Sequence, residues 1–250
     1  MEKAELINIK YDENIILNKR KLLRKEFTST SSNIKSGRIT SIGEEDLKLL
    51  FNLYDKYFFN NYFRNNFFGK VKFSLSKRMS KNAGKTIIPR NNIKLPEEQQ
   101  IYEIRIGVNF LFQYYELIKE KFVAGIKTID ALHALILVFE HELIHFIEFY
   151  VFSKSSCKNS QFKTIANNIF GHKGVYHSLP TNSEIISNNS GLMVGDKVTF
   201  IYNKQNKNGF IYRINKRAVV MILDSKGSYV DKLGKRYSKF YVPLDMLSKL

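Results

Sequence analysis

Residues 139–149 read FEHELIHFIEF, and the reading of this stretch decides the fold. Two histidines four apart enclose a glutamate inside one of the most apolar parts of the chain. Between residues 128 and 152 apolar residues recur at three- and four-residue spacing with no Pro or Gly, the pattern of a helix buried on most sides. On a helix, positions i and i+4 share a face, so His141 and His145 can present their imidazoles to one ion. Glu142, offset by about 100° from His141, reaches the open side of that ion, where it can move a proton. The HExxH spacing therefore predicts Zn2+ as the metal, Glu142 as catalytic general acid/base and peptide hydrolysis as the reaction. A helix this apolar gains little from Glu140, His141 and Glu142 at its middle unless they find partners there, and a metal supplies them.

A catalytic zinc needs a third protein ligand. Five histidines are present. His133 lies two turns upstream of His141 on the same rigid helix and cannot close a tetrahedron with it. That leaves His172, His177, Cys157, Glu148 and Glu184, of which Cys157 or His177 is the expected third ligand. Cys157 is the single cysteine, which rules out an intramolecular disulfide.

Outward from the helix, the chain reads as an α+β fold. VKFSLS (71–76), a short segment at 86–89 after the polar KNAGK, and the alternating IYEIRI (101–106) predict strands. VNFLFQYYELIKEKF and SQFKTIANNIF predict helices, the latter ending at Gly171. SIGE places a serine three residues before a glutamate and predicts a helix opening near Ser41, continued by Leu47, Leu50, Phe51, Tyr54 and Phe58. The basic NKRKLLRK (18–25) and the Ser/Thr-rich TSTSSNIKS (28–36) give residues 1–40 the composition of a mobile arm. Residues 41–182 then form the domain that carries the HExxH helix packed on a small sheet. After TNSEIISNNSG, a loop by composition, the runs VGDKVTFIY, GFIYRI, AVVMIL and KFYVP predict a small β-barrel or curled sheet over residues 190–250.

Lys plus Arg number 40 against 23 Asp plus Glu, a net charge of +17 that attracts polyanions, and DNA or another nucleic acid is the expected partner beside a protein substrate. Residues 191–250 alone hold twelve Lys/Arg against four Asp, so the last quarter of the chain carries almost half of the surplus. Within it Lys204, Lys207, Arg213, Lys216 and Arg217 are the expected nucleic-acid-binding residues, with Tyr202, Phe210 and Tyr212 interleaved among them as stacking groups. The longest apolar run, residues 134–139, is far too short to span a bilayer. The start MEKAELINIKYDEN lacks the apolar core of a secretory leader, so no membrane contact and an intracellular setting, cytoplasm or nucleus, are expected.

The order of these pieces resembles the SprT-like or Spartan family of zinc metalloproteases over residues 47–179. The resemblance rests on LFNLYDKYFFNNYF, VKFSLSKRMSKNAGKTI, IYEIRIGVNF, the HELIH helix and QFKTIANNIFGH. It implies a zincin-type fold, a single zinc ion and peptidase action on proteins at or near DNA. The tail resembles the SH3-like or KOW-like barrel that accompanies some viral and phage relatives, so a virus-encoded origin fits. In that family a histidine opening the next helix is the third ligand, and Lys158 stands at the matching position. The alternative expectation is accordingly a SprT-like protein of weak or lost activity that binds nucleic acid or a partner.

Overall fold

The computed structural model describes residues 2–250, an α+β chain of two compact units, one ending at Leu179 and one spanning Pro180–Leu250. The first unit runs through a 3-10 turn at Lys3–Asn8, then α1 (Glu13–Thr30), α2 (Glu44–Phe58), α3 (Tyr62–Asn66), β1 (Lys70–Ser76), β2 (Gly84–Ile87), β3 (Ile101–Gly107), α4 (Asn109–Phe112), β4 (Phe122–Val123), β5 (Ile126–Lys127), α5 (Ala131–Phe152) and α6 (Ser160–Phe170). The HExxH helix is α5. Asp130 caps it by accepting the His133 N–H at 2.8 Å, which satisfies a backbone donor that has no partner inside the helix. Sixteen of its 22 residues are buried, so it is held by packing on nearly every side. A Leu→Ala change among them would cost about 2–5 kcal/mol.

Beside α5 lies a three-stranded sheet of order β1-β3-β2. β1 runs parallel to β3 in the register Phe73↔Ile104, and β2 runs antiparallel to β3 in the register Thr86↔Ile104. Tyr102, Ile104 and Ile106 alternate into the core, as the period-2 pattern of IYEIRI requires. β2 is left as an edge strand. Tyr54 of α2 stacks on Phe139 at 5.8 Å and Phe58 meets Phe170 edge to face at 5.1 Å, tying α2, α5 and α6 into one aromatic core.

Three sequence expectations for this unit are corrected. Of the arm expected over residues 1–40, Met1 lies outside the described residues and residues 2–40 are no mobile arm: Leu6, Ile16, Leu23, Phe27, Ile34 and Ile39 are buried. The Asp46 carboxylate holds the chain after α1, accepting from Ser31 Oγ at 2.6 Å and Asn33 Nδ2 at 2.8 Å. It also accepts the Gly43 N–H at 2.8 Å, so α2 opens at Glu44 and not at Ser41. The helix expected from VNFLFQYYELIKEKF stops at Phe112. Tyr114 and Lys121 are pinned instead to Thr128, by Tyr114 Oη at 2.7 Å and by the Thr128 N–H to the Lys121 carbonyl at 2.8 Å, which bends the segment into the β4–β5 hairpin.

The second unit opens with α7 (Asn182–Ser190), where sequence composition indicated a loop. Thr181 and Glu184 form its capping box, with Thr181 Oγ1 accepting the Glu184 N–H at 3.3 Å and the Glu184 carboxylate accepting the Thr181 N–H at 2.9 Å. Then follow β6 (Lys197–Tyr202), β7 (Gln205–Ile214), β8 (Ala218–Leu223), β9 (Tyr229–Val230), β10 (Arg236–Val242) and β11 (Ser248–Lys249) in one sheet of order β11-β6-β7-β8-β10-β9. That linear order is open, with no pairing among the described residues between β11 and β9, in place of the closed β-barrel expected from sequence. Val198, Phe200, Ile211, Ile214, Ala218, Val220 and Val242 form its own core on one face. No helix among the described residues is long and apolar enough to cross a membrane.

Candidate metal centre

His141 and His145 stand on consecutive turns of α5 with ring centroids 4.9 Å apart. Both pack on the fully buried Phe162 of α6, at 4.9 and 4.5 Å, which backs the pair from one side. Burial and the neighbouring histidines push the proton affinity of His141 down to about 3, and burial pushes that of His145 down to about 4. Both imidazoles are therefore neutral at physiological pH, with lone pairs available to a metal.

The chain reverses directly after α5 because Ser153 takes a left-handed conformation, φ 60°. This turn brings Ser155 and Cys157 back against the helix. Ser155 Oγ lies 2.5 Å from Glu148 Oε2 and 2.6 Å from His145 Nδ1. The hydroxyl donates to the carboxylate and so accepts from the imidazole, which places the His145 proton on Nδ1 and frees Nε2. Cys157 completes the cluster: ligand atoms of His141, His145 and Cys157 all lie within 4.8 Å of one another. Ligands about 2.0–2.3 Å from a tetrahedral zinc stand roughly 3.5 Å apart, so small side-chain rotations close the set. Two imidazoles and a thiol fit zinc by donor chemistry, and three protein ligands leave a fourth position open.

The other candidates fall outside this cluster. His177 lines the same cleft, but its Nδ1 accepts the Leu179 N–H at 3.3 Å and its Nε2 is 3.0 Å from the Lys81 carbonyl. His172 is bonded to Glu140, Glu184 caps α7, and His133 Nδ1 accepts the Ile129 N–H at 3.4 Å. Lys158 is exposed, one residue beyond the cysteine.

Glu142 is buried beside the histidines, in a cleft of about 390 Å³ lined by Lys81, Gly84, Thr86, His141, His145 and Cys157 among others. Burial pushes its carboxyl up to about 7, opposed only by hydrogen bonds from Thr86, whose Oγ1 lies 2.8 Å from Oε2. Gly84 makes room for it: a Cβ there would sit 2.6 Å from Glu142 Oε1. Neither β2 residue was singled out from the sequence, although a glycine within a strand is a signal of close approach.

No family model, curated protein or solved structure matches the chain.

Glu140 needs no metal, contrary to the expectation from sequence. It is fully buried and turned toward α1, where Arg20 Nε and Nη2 donate at 2.7 and 2.5 Å, Tyr54 Oη at 2.9 Å and His172 Nε2 at 2.8 Å. Burial alone would raise its carboxyl, but the Arg20 charge and these hydrogen bonds hold it down at about 2.

The five expected nucleic-acid residues do not form one patch. Lys204 sits in the β6–β7 turn, whereas Lys216 and Arg217 sit in the β7–β8 turn at the other end of the ten-residue β7. Lys207 pairs with the core residue Phe200 and so shares the inner face, whereas Arg213 lies beyond a bulge and is exposed.

Proposed function

We propose that the first unit is a zinc-dependent, SprT-like peptidase of zincin type that acts on proteins at or near DNA. The observation that carries this reading is the convergence of His141, His145 and Cys157 within 4.8 Å at the cleft that Glu142 also lines. Held by these three residues, zinc supplies Lewis acidity toward a peptide carbonyl and toward water. Glu142 then takes a proton from the attacking water and returns it to the departing amine, and Thr86 keeps its carboxylate turned into the cleft. Ser155 and Glu148 fix His145 in the tautomer that leaves Nε2 free. Because β2 is an edge strand and its residues line the cleft, an extended peptide is a substrate shape that strand pairing can hold there. The net charge of +17 favours recruitment to nucleic acid.

A second reading, a SprT-like protein that binds without turnover, draws on Lys158 at the position where the family carries a histidine. Metal content and a single variant separate the two. Protein purified without chelator should carry close to one zinc per chain and cleave a DNA-bound protein. Glu142→Gln should lower that cleavage by about 10²–10⁴-fold while zinc content and fold persist. Zinc-free protein, or a Glu142→Gln variant that cleaves at the wild-type rate, would overturn the peptidase reading. Wild-type protein that is zinc-loaded yet inert would establish the second.

A further inference from the structure

The outer face of the sheet in the second unit differs from its inner face in chemistry, and around the buried Val219 and Met221 at its centre Lys197, Arg213, Tyr229 and Tyr241 are exposed. In an antiparallel sheet, directly paired residues share a face, and so do residues two apart along a strand. On β8, Ala218 and Val220 belong to the core and Ile222 packs against it, so Val219, Met221 and Leu223 point to the other side. The register builds three rows on that side. Lys197, Phe210, Met221 and Lys239 form one row across β6, β7, β8 and β10. Arg213, Val219 and Tyr241 form a second, and Leu223, Tyr237 and Tyr229 form a third that reaches β9. Along a strand the rows are about 7 Å apart, enough to seat separate bases.

These rows hold three cations, four aromatic rings and no carboxylate. Tyr241 is 57% exposed and Tyr229 is 42% exposed. Lys239 Nζ lies 4.1 Å from the Tyr229 ring centroid and 5.7 Å from that of Tyr241, so a cation and two phenol rings are gathered at one place. Phe210 and Tyr237 meet edge to face at 5.6 Å. At the rim, Asp231 accepts from Tyr237 Oη at 3.0 Å. The bulge between Ile211 and Arg213 creates this arrangement: without the extra residue, Arg213 would keep the inward phase of Ile211.

We propose that this outer face of β6, β7, β8, β9 and β10 binds single-stranded nucleic acid, with Tyr229 and Tyr241 stacking on bases and Lys197, Arg213 and Lys239 taking the phosphates. Exposed rings on a sheet offer stacking to any unpaired base, whereas a duplex keeps its base faces hidden. Charge complementarity selects a polyanion, since residues 191–250 carry twelve Lys/Arg against four Asp. This site is independent of the metal centre and stands or falls without it.

The test is fluorescence anisotropy of labelled oligonucleotides with the full chain, carrying Glu142→Gln to prevent self-cleavage. Single-stranded DNA, single-stranded RNA and duplex DNA are compared at several salt concentrations. Single strands of one or both kinds should bind more tightly than duplex. Tyr241→Ala and Tyr229→Ala should each weaken single-strand binding by roughly 5- to 150-fold, and Tyr241→Phe should retain it because the ring remains. Arg213→Ala should reduce the slope of log affinity against log salt by about 0.7. Lys204→Ala with Lys216→Ala, in the turns outside the rows, should cost less than the tyrosine changes. Equal or tighter binding of duplex, alanine variants that bind like wild type, or equal losses from the turn lysines would each overturn the proposal.

Discussion

The two sides of α5 carry carboxylates that are equally hidden and oppositely treated. Glu140 and Glu142 are two residues apart, about 200° around the helix, and both are buried. On the α1 side, Arg20, Tyr54 and His172 donate to Glu140, and the charged form is stabilised down to about pH 2. On the β2 side Glu142 has Thr86, and burial raises it to about 7. Depth therefore does not set the charge of a buried acid; the donors around it do. The satisfied side anchors the helix, and the unsatisfied side is where a group able to trade protons near neutral pH is found.

The largest effect should come from disarming the anchor. Arg20→Met leaves Glu140 ionised and buried, which should lower stability by about 3–5 kcal/mol in urea unfolding at neutral pH. The double variant Arg20→Met with Glu140→Gln should recover part of that loss. The folded-state value of about 2 lies below the ordinary 4.5, so the stabilisation is complete above about pH 4.5 and is lost as the pH falls toward 2. The double variant should show a flatter acid limb. Wild-type stability in Arg20→Met would mean that the contact is not what docks α1.

On the other side the sign should reverse. Glu142→Gln keeps the hydrogen bond to Thr86 and removes an acid that burial disfavours in its charged form. In metal-free protein held in chelator at pH 8, it should raise stability by about 1–3 kcal/mol, whereas in zinc-loaded protein the same change should abolish cleavage. A loss of stability would place Glu142 in the same class as Glu140 and erase the contrast.

A smaller effect is expected at Ser155, which tethers His145 to Glu148 and lies outside the His141, His145 and Cys157 cluster. Ser155→Ala frees the His145 tautomer and should weaken zinc binding by about 10–100-fold in competition with a chromogenic chelator. Unchanged affinity would mean that packing on Phe162 alone orients the imidazole.

Much of this contrast was legible in sequence where spacing along one element carries it. The three- and four-residue period of α5 placed His141 and His145 together, and alternation marked β1 and β3. Where the partner is distant in sequence, the pattern was silent. Arg20 sits in NKRKLLRK and reads as one more solvated cation, because Glu140 is 120 residues away. Ile16, Leu23 and Phe27 share a helical stripe with it, and that stripe was masked by the charges between them. The helix read into VNFLFQYYELIKEKF failed for the converse reason: its apolar spacing was helical, yet Ile118 is fully exposed and Tyr115 is about half exposed, touching Tyr114 and Arg38. On the second unit, counting basic residues along the chain grouped Lys207 with Arg213, whereas strand register and one bulge separate their faces.

The smallest effect should be at Lys158, and its smallness is informative. By resemblance this position belongs to a ligand, yet the side chain is exposed and the neighbouring Cys157 lies in the cluster. A one-residue shift of the loop after Ser153 exchanges the two roles: the thiol turns in and the ammonium turns out. A thiolate serves zinc well, whereas an ammonium has no lone pair until it loses its proton. Lys158→Ala should therefore change zinc affinity by less than about twofold and stability by less than about 0.5 kcal/mol, as for a surface position away from special contacts. If zinc affinity falls as far as in Ser155→Ala, the lysine is the third ligand, the loop register is one residue different with metal bound, and the assignment of Cys157 fails.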